Sequence, residues 1–311
     1  MVRTENRMNV LCFDVGGTSI KYALMDKEAK ILEKGSFDAV TDSMESFLSS
    51  IKEVHESYKG RFEGVSFSMP GVIDPDSGFF YTGGAYDRFI HNINMKEVFH
   101  SFIEEPLIIT NDAKCAAYGE LGFGCLKDVC DAAVLVLGTG IGGCLIKDRK
   151  PIYGKHLYSG EFSFINIHST CDPMDTFAFQ CGVSGLLKRV QTALNTDAFY
   201  TGKDIFAMAN EGNETVLKAL HEFCFDLACQ IYNLSVIYDP EVFAIGGGIS
   251  AQKLLFDELD KCFDEIKEHY GPLFFNKPEI RVCEHRNDAN LMGALYRYIV
   301  EIGSSDNGID I

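Results

Sequence analysis

Apolar positions along this chain switch repeatedly between the two-residue period of strands and the 3.6-residue period of helices. Three short runs, Asn9 to Phe13, Tyr22 to Met25 and Ile31 to Phe37, are separated by turn residues and predict strands. From Ser43 the period changes, and Met44, Phe47, Leu48, Ile51, Val54 and Tyr58 fall on one helical face, with Thr41 or Asp42 as the candidate cap. Gly64 to Ser68 and Leu107 to Thr110 read as two further strands. The first ends in Met69, Pro70 and Gly71, the second in Asn111 and Asp112, before a helix-like Ala113 to Leu121. The second half repeats the style. Ala132 to Leu137 and Cys144 to Ile146 are extended, and Val183 to Asn195 and Glu214 to Ile237 are helical, the latter through Val216, Leu220, Phe223, Cys224, Leu227, Ile231 and Leu234. A short strand, Val242 to Ile245, precedes a helix carrying Leu254, Leu255, Leu259, Phe263 and Ile266. Strands alternating with helices predict an α/β protein, whose ligands gather at loop-bordered strand ends. Residues 1 to 8 are polar and expected to fray.

The bulk numbers narrow the class. A chain of 311 residues exceeds what one core serves and predicts two domains. Without a Pro-rich linker, the expected hinge lies within packed elements near Asp112 to Ala117. No apolar run approaches the roughly 20 residues of a membrane span, and Arg3, Glu5 and Arg7 leave no apolar signal core, so a cytoplasmic protein is expected. Eleven cysteines, an odd number scattered through apolar runs, read as reduced buried thiols. His168, Cys171 and Cys181 are the one grouping suggestive of zinc, and with no fourth ligand or C-x-x-C pair no zinc site is expected. A net charge of −17 repels nucleic acid.

The chemistry begins at Phe13-Asp14-Val15-Gly16-Gly17-Thr18-Ser19-Ile20-Lys21, an acidic residue and a small-residue turn between two strands. Gly16 and Gly17 allow close approach of a ligand, so that main-chain amides and the Thr18 and Ser19 hydroxyls can face phosphate oxygens while Asp14 faces magnesium. An ordinary Gly-Gly hairpin is the alternative. A second copy follows at Leu137, Gly138, Thr139, Gly140, Ile141, Gly142 and Gly143. Two such hairpins, one per half, suit a nucleotide triphosphate held between two domains. Gly138, Gly140 and Gly143 also satisfy the dinucleotide fingerprint G-x-G-x-x-G, but that motif requires a following helix, and Cys144 to Pro151 has no helical stripe. Gly246, Gly247, Gly248, Ile249 and Ser250 form a third glycine turn between strand and helix, read as the adenine and ribose side of a nucleotide or as a structural turn.

Asp112 at a strand end reads either as a helix N-cap or as the carboxylate that orients an acceptor hydroxyl and takes its proton. The helix dipole would favour its charged form, and Asn111 beside it can bond a neighbouring hydroxyl. Glu161, in Ser159-Gly160-Glu161-Phe162-Ser163-Phe164, is either a surface acid or a bidentate acceptor for two vicinal sugar hydroxyls. Gly71 after Pro70, and Gly83 with Gly84, fit loops around the same pocket or plain turns.

Taken together these residues resemble the ROK family of bacterial sugar kinases, within the actin- and hexokinase-like ATPases, from about Asn9 to Val300. Asp14 to Lys21 is similar to the first phosphate motif and Ser68 to Gly71 to the S-x-P-G turn. Asn111 and Asp112 resemble the N-D-A signature with its catalytic base, Leu137 to Gly143 the second phosphate motif, Gly246 to Ser250 the adenosine motif, and Ala289 to Leu295 the closing helix. The resemblance implies a ribonuclease H-like fold with two α/β domains flanking a cleft. The expected domains are 1–112 with a returning helix at about 289–303, and a larger one at 113–288. It implies ATP and Mg2+ as cofactors, a small-molecule sugar as substrate, no nucleic acid or membrane partner, and a homodimer. Asp14, Gly16, Gly17, Thr18, Lys21, Thr139, Gly140, Gly247 and Gly248 would bind nucleotide, Asp14 meeting magnesium through water. Gly71, Gly84, Asn111, Asp112 and Glu161 would bind sugar, with Asp112 as general base.

Two departures bear on substrate. The family's E-x-G-H motif reads Glu161-Phe162-Ser163-Phe164 here, so Phe164 replaces the histidine that touches sugar and binds zinc, and the family's cysteine segment keeps only Cys181 and ends in Lys188 in place of a sugar-binding glutamate, which implies no structural zinc. This pattern, with Gly83, Gly84, Ala85 and Arg88, is similar to the family's β-glucoside kinases. An aromatic at 164 leaves the anomeric side open or stacks on an aglycone or second sugar. The expected activity is therefore phosphorylation of the 6-hydroxyl of a β-glucoside or glucose-type hexose, with N-acetylmannosamine or another hexose as the alternative. A sugar-sensing repressor of the same family would need an N-terminal DNA-binding segment, and fewer than ten residues precede the first strand.

Overall fold

Each half of the chain opens with an antiparallel hairpin and then adds parallel strands through helical crossovers. The computed structural model describes residues 8–307; of residues 1 to 8, expected to fray, all but Met8 lie outside the described residues. The first half contains β1 (Asn9–Val15), β2 (Ser19–Asp26), β3 (Ile31–Asp38), α1 (Met44–Ser57), β4 (Gly64–Met69), β5 (Phe79–Phe80), β6 (Ile93–Asn94), α2 (Met95–Phe99), β7 (Leu107–Asn111) and α3 (Asp112–Phe123). The second contains β8 (Ala132–Leu137), β9 (Ile141–Lys147), β10 (Lys150–Pro151), α4 (Phe177–Cys181), α5 (Val183–Leu194), α6 (Gly202–Asn210), α7 (Glu214–Tyr238), β11 (Val242–Gly247), α8 (Lys253–Tyr270) and β12 (Ile280–Val282), before α9 (Ala289–Asn307). The sheet orders are β3-β2-β1-β4-β7 and β10-β9-β8-β11-β12, one arrangement used twice. In each sheet the first three strands are antiparallel neighbours and the last two run parallel to the central one.

Among the described residues the chain divides into two compact units. The first runs to Lys127, includes Lys155–Leu157 and resumes at Asn287; the second comprises Asp128–Gly154 and Tyr158–Arg286. The expected hinge at Asp112 to Ala117 instead lies inside α3, a continuous helix that belongs with the first unit because α9 packs along it. The division thus falls after Lys127, not at the expected 112. The α1 cap is Ser43, whose side chain accepts from Ser46 N, and not Thr41 or Asp42.

In the first unit, Leu11, Phe13 and Val15 of β1 face a core with Phe47 and Ile51, while Val10 and Cys12 face Leu291, Ala294 and Leu295 of α9. The two-residue period therefore buries both faces of the central strand. Phe13 stacks on Phe67 at 4.7 Å, and Phe67 on Phe99 at 4.4 Å. Helix α9 is held by backbone proximity to α3: a Cβ on Gly293 would lie 1.7 Å from the Cys115 carbonyl oxygen. In the second unit, α7 buries its expected stripe, Val216 to Leu234, against the core shared with α5 and α8. No helix among the described residues is long and apolar enough to cross a membrane.

All eleven cysteines are free thiols. Burial pushes the Cys12 and Cys181 thiols far above the ordinary range and raises Cys262 to about 12, whereas Cys130 and Cys171 are exposed. A short iodoacetamide pulse on the native protein at pH 8, read by mass spectrometry, should therefore label Cys130 and Cys171 and spare Cys12 and Cys181 until denaturant is added. Labelling of Cys12 at the rate of Cys130 would contradict this packing. Substituting Gly293→Ala should lower stability by roughly 3 kcal/mol, because the added carbon meets backbone and the gain in helix propensity is only about 1 kcal/mol. A Cβ on Gly248 meets nothing within 4 Å. Gly248→Ala should therefore shift the urea midpoint little; equal midpoint losses for the two variants would refute the argument.

Candidate active site

Asp14, Ser68 and Thr110 are register partners across β1, β4 and β7, and all three are buried. From Val10 in β1 and throughout β7 the residues before this row are apolar, while β4 carries one polar residue before it, Ser66, whose hydroxyl donates to Ala294 O. The three strands turn polar near their C-terminal ends, where an open α/β sheet presents its loops. Asp14 closes the β1–β2 hairpin opposite Lys21, with Nζ 3.2 Å from Oδ2. Its Oδ1 accepts from Asn290 Nδ2 at 2.9 Å, and Lys21 Nζ also donates to Asn287 O at 3.1 Å. Asn290 and Asn287 were not expected as site residues; the sequence signal for Asn290 is a polar side chain immediately before the apolar run Leu291 to Leu295.

The glycine turn above Asp14 is closed by Gly16 N donating to Ser19 O at 3.0 Å, and a Cβ on Gly16 would lie 2.9 Å from that oxygen. Gly17 and Thr18 are exposed at its tip. Tyr86 supports the turn from beneath, its hydroxyl donating to Gly16 O at 2.7 Å. Burial and then the Asp14 charge push the Tyr86 phenol up to about 12, so it stays a donor. No local sequence signal marks Tyr86, because a buried tyrosine in an aromatic cluster reads simply as core.

The short 3-10 helix Gly84–Tyr86 also meets the loop after β4. Gly71 has φ +113°, and a Cβ there would lie 2.1 Å from Thr82 O, so only glycine fits without displacing backbone. A Cβ on Gly84, φ +57°, would lie 2.9 Å from Pro70 Cβ. Asn111 ties this loop to α3. Its Oδ1 accepts from Lys114 N at 3.1 Å, and its Nδ2 donates to Gly71 O at 3.0 Å and to Asp112 Oδ1 at 3.1 Å. The N-cap is therefore Asn111, and Asp112 is the first residue of the helix. Asp112 Oδ1 also accepts from its neighbour Ala113 N at 2.8 Å, which fixes the carboxylate at the strand end. Beneath, burial raises the Cys115 thiol far above its ordinary value, and the Asp14 and Asp112 charges add to the effect. Within the first unit, Asp14, Gly16, Gly17, Gly71, Gly84, Asn111 and Asp112 thus belong to one connected set of loops.

In the second unit, Gly138 N donates to Gly140 O at 3.0 Å and closes the β8–β9 turn. The strand that follows, β9, excludes the dinucleotide arrangement, which needs a helix there. Helix α5 begins against this turn: Val183 N donates to Gly138 O at 2.9 Å and Ser184 N to Thr139 O at 3.3 Å. Gly247 lies beside Leu137 in register, and its φ of +96° leaves a would-be Cβ 2.2 Å from Leu137 O. Thr139, Gly140, Gly247 and Gly248 thus gather at one end of the adjacent strands β8 and β11. The third glycine turn does not enter α8 directly, since Gly248 to Gln252 intervene before Lys253.

Glu161 precedes the 3-10 turn Phe162–Phe164. Phe162 is buried, its ring 2.3 Å from where a Gly143 Cβ would stand, and the Ser163 hydroxyl donates to Ile141 O. Phe164 and Lys188 are exposed. His168, Cys171 and Cys181 do not converge: His168 Nδ1 lies 2.7 Å from Asp175 Oδ1, Cys171 is exposed and Cys181 is in the core. Hydrogen bonding to Asp175 raises the His168 pKa.

A beta-glucoside kinase of Klebsiella pneumoniae is 29% identical over 302 residues, covering 94% of this chain and 96% of its own length. A beta-glucoside kinase of Listeria innocua is 28% identical over 298 residues, covering 94% of this chain and 98% of that protein. The crystal structure of a ROK family protein from Streptococcus pneumoniae, in complex with sucrose, superposes with a TM-score of 0.87 at 26% identity, covering 96% of this chain and 100% of that one. The doubled sheet order is accordingly that of the actin- and hexokinase-like α/β fold. Because the ROK family pattern is matched from residue 10 to residue 299, from the first strand into the last helix, the chain belongs to the ROK family.

Proposed function

We propose that this ROK-family sugar kinase transfers the terminal phosphoryl group of ATP to the 6-hydroxyl of a β-glucoside or glucose-type hexose, with Asp112 as general base. The observation that carries the reading is the Asn111 clasp, which holds the Asp112 carboxylate at a strand end beside the Gly71 loop. A hydroxyl acceptor is a poor nucleophile until a positioned carboxylate takes its proton, an effect worth about 10²- to 10⁴-fold. Asp112 supplies that acceptor oxygen, and Asn111 and the Gly71 backbone line up the sugar beside it. Glu161 accepts from two neighbouring sugar hydroxyls.

The residues present fit magnesium ATP. Asp14 is a hard oxygen donor already oriented by Asn290, and one carboxylate with water and phosphate oxygens is the usual magnesium environment. A Cβ on Gly16 would lie 2.9 Å from Ser19 O and one on Gly17 3.3 Å from Ala85 Cβ, so glycine keeps this turn tight, as suits a phosphate cradle. Magnesium ATP, when bound, brings the phosphoryl group and neutralises its developing charge. Lys21 holds positive charge at the Asp14 carboxylate, and Thr18 presents a hydroxyl at the turn's tip. Thr139 and Gly140, with Gly247 and Gly248, hold nucleotide on the second unit.

Asp112→Asn preserves shape and removes the proton acceptor. It should lower kcat by about 10²- to 10⁴-fold while leaving sugar KM within a few-fold, measured by coupled ADP release with saturating ATP. Near-normal turnover on every phosphorylated sugar would remove Asp112 from this role.

A further inference from the structure

We propose that Tyr158 and Phe164 form an aromatic platform that receives the second ring of a β-glucoside, whether sugar or aryl, and so makes the site prefer β-glucosides to free hexoses; the proposal rests on the sugar-kinase reading of the same site. The two rings stack on each other, with centroids 5.4 Å apart and planes 22° apart. They are 57% and 61% exposed, so one broad aromatic surface remains open to solvent. On the loop that carries Glu161, this paired aromatic surface offers a flat face to a ring-shaped ligand.

The backbone explains why the rings meet. Glu161 N donates to Tyr158 O at 3.3 Å, and Phe164 N donates to Glu161 O at 3.3 Å. Two consecutive turns therefore share Glu161, the proposed sugar acceptor, which lies midway in sequence between the two aromatic residues. The loop is pinned from below: buried Phe162 fills the space left by Gly143, and Ser163 bonds Ile141 O. Phe162 is the buried anchor of the loop, and Phe164 stands exposed, stacked on Tyr158.

Ligand chemistry selects the occupant. Pyranose rings present apolar C–H faces and aryl rings present π faces, and both lie flat on an aromatic surface. A β-glucosidic bond is equatorial, so the second ring continues in the line of the first and can reach a flat surface beside it. An α bond is axial and turns the second ring away. Free glucose has only a hydroxyl at that carbon and gains nothing from the platform.

The test measures calorimetric binding and kcat/KM with ATP for glucose, cellobiose, phenyl β-glucoside and phenyl α-glucoside. It uses the full chain as wild type, Phe164→Ala, Tyr158→Ala and the ring-preserving Phe164→Trp. The wild type should favour both β-glucosides over glucose and over the α anomer. Either alanine variant should reduce the β-glucoside-to-glucose ratio by between about twofold and tenfold, and Phe164→Trp should keep it. A ratio unchanged in both alanine variants, or an α preference in the wild type, overturns the platform whatever the absolute rates. If no sugar is phosphorylated yet phenyl β-glucoside binds more tightly than glucose and loses that margin in Phe164→Ala, the platform stands and the kinase assignment falls.

Discussion

The side chain of Asn111 is the constraint on which the first unit's chemistry depends. One amide caps α3 through its oxygen and, through its nitrogen, ties the Gly71 carbonyl and touches Asp112. An amide has an acceptor and two donor hydrogens, so a single residue can do all of this, whereas Asp or Ser at the same place would lose the donor pair. Strand β7, helix α3 and the loop after β4 are thereby held to one geometry. Asn111, and not Asp112, is the cap, so the acid stands at the helix start as its first residue.

The same economy of backbone appears around it. In β1 the run from Val10 to Phe13 and in β7 the run from Leu107 to Ile109 are apolar, β4 carries the buried Ser66 between apolar residues, and Asp14, Ser68 and Asn111 stand at or near the C-terminal ends. Helix α9, pressed against α3 at Gly293, delivers Asn290 to Asp14 and so links the end of the chain to its first strand. The second unit repeats the sheet order and the hairpin turn, but it carries Glu161 and the aromatic pair on a loop of its own.

Much of this was legible in the residues. The helical stripe of α7, the two glycine hairpins and the N-D pair at the end of β7 all declare themselves through period or through residue types suited to turns. What was not legible depended on tertiary contacts. Ser43 rather than Asp42 caps α1, a choice among neighbouring polar residues that local spacing leaves open. The boundary after Lys127 arises because α3 is packed by a helix more than 160 residues later, and no local composition shift announces it. Tyr86 and Asn290 reach the site from distant loops and helices, and Tyr158 joins Phe164 only because two backbone turns fold the loop back on itself.

The central claim is that a sugar hydroxyl meets the clasped carboxylate and takes a phosphoryl group from ATP. The most direct measurement is ³¹P–¹H correlation spectroscopy of the product formed from ATP and phenyl β-glucoside. The account predicts a phosphomonoester whose phosphorus couples to the two protons on carbon 6. Phosphorus coupled to a ring-carbon proton instead, or release of inorganic phosphate alone, would contradict it.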